Sequence, residues 1–193
     1  MQNQFTRDEI ATQVDAWQNA LETLQHNQQA ITALWQQNHY DQVIVTGCGS
    51  THYLSLAAAN TMQSTLGLPT RAVPASELIL HPESVYTKDS RPLMVAISRS
   101  AETTETVQAV RDFRTRYGAD VVVITCYEGR PLNDMAKLAL VAPAGQEESI
   151  AQTRSYSAML VLSEGFTRIL AGQTIDAQTL THDNAANQAL QDI

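Results

Sequence analysis

Five short apolar runs alternate with helix-like stretches, and no other feature constrains the chain as tightly. The runs are QVIVTG (42–47), TRAVPA (70–75), PLMVAIS (92–98), DVVVITC (120–126) and LALVAPA (138–144). Most are apolar at consecutive positions rather than at every second one, as in strands buried on both faces. Between them lie STHYLSLAAANTMQSTLG, ETTETVQAVRDFRTRYG and a short helical stretch near 131–136, and TRSYSAMLVLSEGFTRILAG follows the last. Gly67, Gly118 and Gly172 close the three long helices, because glycine readily takes the left-handed conformation that ends a helix. Strands joined by helical crossovers pair in parallel. The expected fold is therefore α/β: a doubly wound five-stranded parallel sheet with helices on both faces, over residues 40–172.

Residues 1–39 precede the first strand as a helical arm. Ile10, Val14, Trp17, Leu21, Leu24, Ile31, Leu34 and Trp35 recur at helical spacing, which predicts one or two helices over 6–38. This arm is expected to pack on the domain or on a partner subunit. Thr6, with Glu9 three residues on, reads as a capping box at its start. The tail 173–193 has weak helical periodicity and ends in mid-pattern, as though leading into further chain.

Composition narrows the partners. With 193 residues, 44% of them hydrophobic, the chain can bury one real core. A net charge of −8 excludes general nucleic-acid binding, which needs a basic field. A small phosphorylated ligand needs only a local donor site. Cys48 and Cys126 end strand-like runs and read as reduced, buried thiols, a cytoplasmic pattern. They are too few and too far apart for a zinc site, so no metal is expected. The polar N-terminus carries no signal peptide, and no apolar run approaches the ~20 residues of a membrane span.

Ligands of an open parallel sheet sit beyond the C-terminal ends of its strands. Three polar clusters fall there. In GCGSTHY (47–53), two glycines allow a sharp turn and close approach, and Ser50 and Thr51 bring hydroxyls to a helix N-terminus that favours an anion. A plain strand-to-helix turn with a serine cap explains this stretch equally well. The third glycine of a dinucleotide fingerprint and the Gly-Lys-Ser/Thr ending of a P-loop are missing. In SRSAETTET (98–106), Ser98 ends the strand, Ser100 is expected at the N-cap and Thr103 one turn in. One cap needs one hydroxyl, so this surplus points to an anion, with Arg99 as a further charge. In GQEESIAQTRSYS (145–157), Glu147 and Glu148 read first as electrostatic caps of the last helix, and second as carboxylates at a ligand rim. His52 lies beside the first cluster and could move protons. His81 reads as incidental, and His26, His39 and His182 as surface residues.

Together VIVTGCGSTHY, LMVAISRSAETTET and EESIAQTRSYSAML resemble the sugar isomerase (SIS) domain family, over roughly residues 8–172. Within that family the segments are most similar to the isomerase half of glucosamine-6-phosphate synthase, a glutamine–fructose-6-phosphate aminotransferase. The ketose/aldose-phosphate isomerases and amino-sugar-phosphate deaminases fit equally well. The resemblance implies a flavodoxin-type sheet that binds a sugar phosphate of the fructose 6-phosphate or amino-sugar 6-phosphate class, with no cofactor. By motif, Ser98, Arg99, Ser100 and Thr103 match the phosphate-binding loop, Ser50 and Thr51 match sugar contacts, and Ile150 matches a backbone contact. Glu102 matches an acidic loop residue that is no obvious catalyst. Ala101 stands where the family usually has glycine, which tightens the loop without removing a donor.

The resembled enzymes carry their catalytic glutamate, lysine and histidine in a second SIS subdomain, and this chain matches only the first. A glutaminase domain, with its N-terminal cysteine, is not expected either, since Met1 is followed by Gln2. The expected role is thus the phosphate grip of a longer aldose–ketose isomerase or amino-sugar-phosphate enzyme, as a homodimer. Two other readings remain. One is a phosphosugar-sensing module that does no chemistry, although the arm lacks the basic residues of an attached DNA-binding helix-turn-helix. The other is a complete single-subdomain isomerase working as an oligomer, with His52 or Glu147 as proton carrier.

Overall fold

In a computed structural model the described residues are 2–87 and 89–175. The expectations for the tail beyond 175, His182 included, lie outside them. The arm forms two helices, α1 (Gln2–Ala11) and α2 (Gln13–Gln37). Then come β1 (Gln42–Gly47), α3 (Ser50–Leu66), β2 (Thr70–Pro74), α4 (Ala75–Leu80), α5 (Pro82–Val85) and β3 (Pro92–Ile97). They are followed by α6 (Thr104–Tyr117), β4 (Val121–Thr125), α7 (Pro131–Met135), β5 (Leu138–Val141), a 3₁₀ turn (Pro143–Gly145) and α8 (Arg154–Leu170). The short helices α4 and α5 are additions to the elements expected from the sequence, whereas the equally short α7 falls on the expected stretch near 131–136.

The five strands are all parallel, in the order β2-β1-β3-β4-β5. Alternate strand residues serve two separate cores. Val43, Val45, Val95, Ile97 and Ile124 face Leu24, Leu54, Met62 and Phe166 of α2, α3 and α8. Ile44, Met94, Ala96 and Val123 face Leu78, Phe113 and Leu132 of α4, α6 and α7. This is why the strands read as continuously apolar. Gly67 and Gly118 cap α3 and α6 in the left-handed conformation, with their N–H groups bonded back to Gln63 and Arg114.

The arm packs on the domain itself. Leu24 and Ile31 of α2 are fully buried, and Gly165 of α8 leaves the space that Leu24 fills. The capping box is corrected. The first helix starts at Gln2, so Thr6 and Glu9 lie inside it, and the Glu9 carboxylate turns inward instead.

The thiols are also corrected in part: Cys126 is fully buried but Cys48 is only half-buried. Burial pushes the Cys126 thiol up to about 12, and the nearby Glu147 charge adds to it. Burial also raises the Cys48 thiol, with Glu105 contributing. Dithionitrobenzoate is expected to titrate Cys48 slowly in the native chain and Cys126 only after unfolding. Two fast thiols in the native state would contradict this packing.

Among the described residues, no helix is long and apolar enough to cross a membrane, and no cluster of three or more His, Cys, Asp or Glu could hold a metal ion.

Candidate functional site

β1 and β3 are neighbours, but their crossovers leave in opposite directions, β1 through α3 to β2 and β3 through α6 to β4. That reversal opens a crevice beyond their C-terminal ends, where doubly wound sheets hold ligands. The 48–50 and 98–103 loops flank it.

The first loop depends on two glycines. A Cβ at Gly47 would lie 2.7 Å from the backbone carbon and oxygen of Thr51. Gly49, the N-cap of α3, has φ 61° and ψ −126°, which a residue with a side chain adopts only under strain. The Thr51 hydroxyl closes the turn: it donates to the Cys48 carbonyl at 2.9 Å and accepts from the Cys48 N–H at 3.0 Å. Thr51 is thus buried and serves the loop, while Ser50 stays exposed at the first residue of α3. Gly47→Ala is expected to cost about 2–3 kcal/mol of stability, because strand and helix must part. An unchanged urea midpoint would contradict that.

The second loop is held from both sides. The Ser98 N–H donates to the Ile124 carbonyl at 3.0 Å, and the Arg99 carbonyl accepts from Cys126 N–H at 3.1 Å and from Thr125 Oγ1 at 2.9 Å. Leu132 N–H donates to the Ala101 carbonyl at 3.0 Å. Ala101 has φ 53° and is fully buried. This left-handed residue stands where the resembled family usually has glycine, and the loop runs on to Thr103 rather than tightening as expected. Hence the N-cap of α6 is Thr103 rather than Ser100, and Thr103 stands at the helix mouth rather than one turn in. The Thr103 hydroxyl does not cap its own helix; it lies 3.3 Å from Ser98 Oγ. Ser100 Oγ accepts a long bond from Glu102 N–H. Glu102 forms a half-exposed ion pair with Arg130 at 2.9 Å.

Glu147 is not a rim carboxylate. Its side chain is fully buried. Oε1 accepts from Thr153 N–H at 2.6 Å, Thr153 Oγ1 at 2.7 Å and Ser155 N–H at 3.2 Å, and Oε2 accepts from the Ser155 hydroxyl. These are donors at the start of α8, so the capping reading holds for Glu147, in a buried form, whereas Glu148 is exposed and meets Glu9 through its N–H. Arg99 approaches the same carboxylate at 3.6 Å and donates to the carbonyls of Ser149 at 3.2 Å and Ile150 at 3.4 Å. The Ile150 side chain is 84% exposed. His52 is half-buried, and its Nδ1 is buried without a hydrogen-bond partner among the described residues. His26, His39 and His81 lie exposed.

Glu9 escaped the sequence reading. It is 3% exposed, its Oε1 accepts from Glu148 N–H at 2.7 Å and Ser149 N–H at 3.1 Å, and its Oε2 accepts from the Ser149 hydroxyl. Burial pushes its pKa up, but the bonds from Ser149 and the Glu148 amide, with Arg154 nearby, hold it below the ordinary carboxylate value. A carboxylate inside a helical pattern carries no signal of such a partner.

The sequence model of the SIS domain matches residues 36–167. The glutamine–fructose-6-phosphate aminotransferase (isomerizing) of Pyrococcus horikoshii is 32% identical over 123 residues, which is 64% of this chain and 20% of that protein. That of Thermus thermophilus is 35% identical over 121 residues, 63% of this chain and 19% of that protein. The chain thus spans about a fifth of the length of these curated relatives. The solved tagatose-6-phosphate ketose/aldose isomerase from Escherichia coli superposes with a TM-score of 0.87 at 24% identity, covering 97% of this chain and 53% of that one. The C-terminal domain of glucosamine-fructose-6-phosphate aminotransferase from Francisella tularensis gives 0.77 at 18% identity, with the same coverage. At such identities the structural likeness shows the shared fold.

Proposed function

The chain belongs to the SIS domain family, and from that premise we propose that it binds and orients a sugar phosphate for an aldose–ketose isomerase or an amino-sugar-phosphate enzyme. One observation carries the reading. The hydroxyls of Ser98 and Thr103 meet 3.3 Å apart at the mouth of α6, beside Arg99 and Ser100, at the crevice between β1 and β3.

A phosphate monoester there takes hydrogen bonds from Ser98, Ser100 and Thr103, and charge from the Arg99 guanidinium. The N-terminal dipole of α6, which Thr103 leaves uncapped, favours the same anion. The sugar extends toward Ser50 and the backbone of Thr51 on one side, and toward the backbone at Ile150 on the other. Anchoring the phosphate turns the reacting carbons to one place, which is worth several orders of magnitude in effective concentration. The reaction class is proton transfer between C1 and C2 through an enediol or enolamine. Of the two proton carriers, both Glu147 oxygens are engaged, whereas His52 Nδ1, though buried, has no hydrogen-bond partner among the described residues. A homodimer in the cytoplasm is the setting proposed.

The test is a calorimetric titration with fructose 6-phosphate, glucosamine 6-phosphate and inorganic phosphate, with isomerisation followed in parallel and mass measured by light scattering. Binding of a sugar phosphate without turnover is expected. Turnover by this chain alone would favour the complete single-subdomain isomerase instead. No binding of either sugar phosphate would overturn the proposal.

A further inference from the structure

We propose that Glu9 of the N-terminal helix is a positioning residue for the anion site: its carboxylate fixes the 147–150 loop and, through that loop's carbonyls, the place of the Arg99 guanidinium. The inference rests on the reading of Arg99 as a phosphate ligand.

Burying a carboxylate is costly unless donors meet it. A helix needing only to lie on the domain could use apolar residues instead, yet α1 leaves Phe5 47% and Ile10 39% exposed while burying Glu9. What meets Glu9 is a short piece of backbone from the other end of the chain, about 140 residues away. The N–H groups of Glu148 and Ser149 point to Glu9, and the carbonyls of Ser149 and Ile150 point to Arg99. These are successive peptide groups, the first two bonded through N–H to the carboxylate and the next two through C=O to the guanidinium, so one short stretch of backbone is pinned between an anion and a cation. Arg154 ties the same corner, donating to Thr12 Oγ1 at 2.8 Å and to the Gln146 carbonyl. Glu147 holds the far side of the loop. The Arg99 side chain is 26% exposed, so it is open to a ligand while the loop holds it in place. Without Glu9, two backbone donors lose their acceptor, the Ser149 hydroxyl keeps only the Ala151 carbonyl, the loop relaxes, and Arg99 loses the carbonyls that aim it.

The test compares fructose 6-phosphate dissociation constants for the wild type, Glu9→Ala, Glu9→Gln, Arg99→Ala and the Glu9→Ala/Arg99→Ala double variant. Glu9→Ala is expected to weaken binding about tenfold. Glu9→Gln, whose amide oxygen still accepts from both N–H groups, returns it to within about threefold of wild type. The double variant binds no more weakly than Arg99→Ala alone, because both changes remove one effect. A strut that only stabilised the fold would give multiplying losses instead, and that result overturns the proposal.

A second readout needs no ligand. Glu9→Ala is expected to speed amide exchange at Glu148 and Ser149 and to shift the Arg99 Nε–Hε resonance. An unmoved Arg99 resonance overturns the coupling. If the resonance moves but the wild-type chain binds no fructose 6-phosphate, the coupling stands and the ligand reading falls.

Discussion

Replacing Ser98 and Ser100 together with alanine is expected to weaken sugar-phosphate binding by about 2–3 kcal/mol, roughly 30- to 160-fold. In the proposed complex each hydroxyl donates to a phosphate oxygen, and bonds to ionised acceptors are about twice as strong as neutral ones. Ser98 is 1% exposed, so water does not replace its hydroxyl when it is removed. The fold should tolerate the change. Most bonds that hold the loop run through the backbone of Ser98, Arg99 and Ala101 and through Thr125 Oγ1, and alanine keeps these while losing the long Glu102 N–H bond to Ser100 and the Ser98–Thr103 hydroxyl contact. Calorimetry with fructose 6-phosphate measures the affinity, and a thermal melt of the same samples checks the fold. Unchanged affinity with an unchanged melt would refute the assignment of this loop to the phosphate.

Glu147→Ala acts on the fold before the ligand. Its carboxylate is the acceptor for two N–H groups and two hydroxyls at the start of α8, and its side chain is fully buried. Removing a buried charge that completes such a set costs about 3–5 kcal/mol. Most of that comes from the donors left unpaired, since the ion pair with the quarter-exposed Arg99 is long, at 3.6 Å. Glu147→Gln keeps one oxygen acceptor and the volume, and is expected to lose about half as much. Urea unfolding of the three proteins checks the order. A Glu147→Ala midpoint equal to wild type would mean that the carboxylate does not anchor α8.

The two glutamates show where sequence reasoning reached and where it stopped. Glu147 was legible as a helix cap, because a carboxylate just before a helix interacts with nearby N–H groups in sequence. Glu9 was not, because its partners lie about 140 residues away and nothing local names them. The capping-box pattern at Thr6 and Glu9 was real as a spacing, but a pattern inside a helix has no free N-terminus to serve. Ser100 was misplaced by one loop turn for a related reason. The left-handed Ala101 extends the loop before α6, and an alanine gives no sign that it will adopt φ 53°. By contrast, Gly67 and Gly118 were read correctly as helix ends, since glycine advertises that conformation.

By itself, the amino-acid order determined the α/β class, the five strands, the long helices and the three polar loops at strand ends. These follow from periodicity and caps, which act over a few residues. The tertiary structure alone decided the strand order β2-β1-β3-β4-β5, and with it which loops share the crevice. It also decided that Thr103 meets Ser98, that the Thr51 hydroxyl is spent within its own turn, and that Glu9 reaches the loop whose carbonyls Arg99 meets. The physical reason is that an apolar pattern states which face of an element is buried, but not which element covers it. The hydrogen bonds that shape this site are mostly made between segments that only packing brings together.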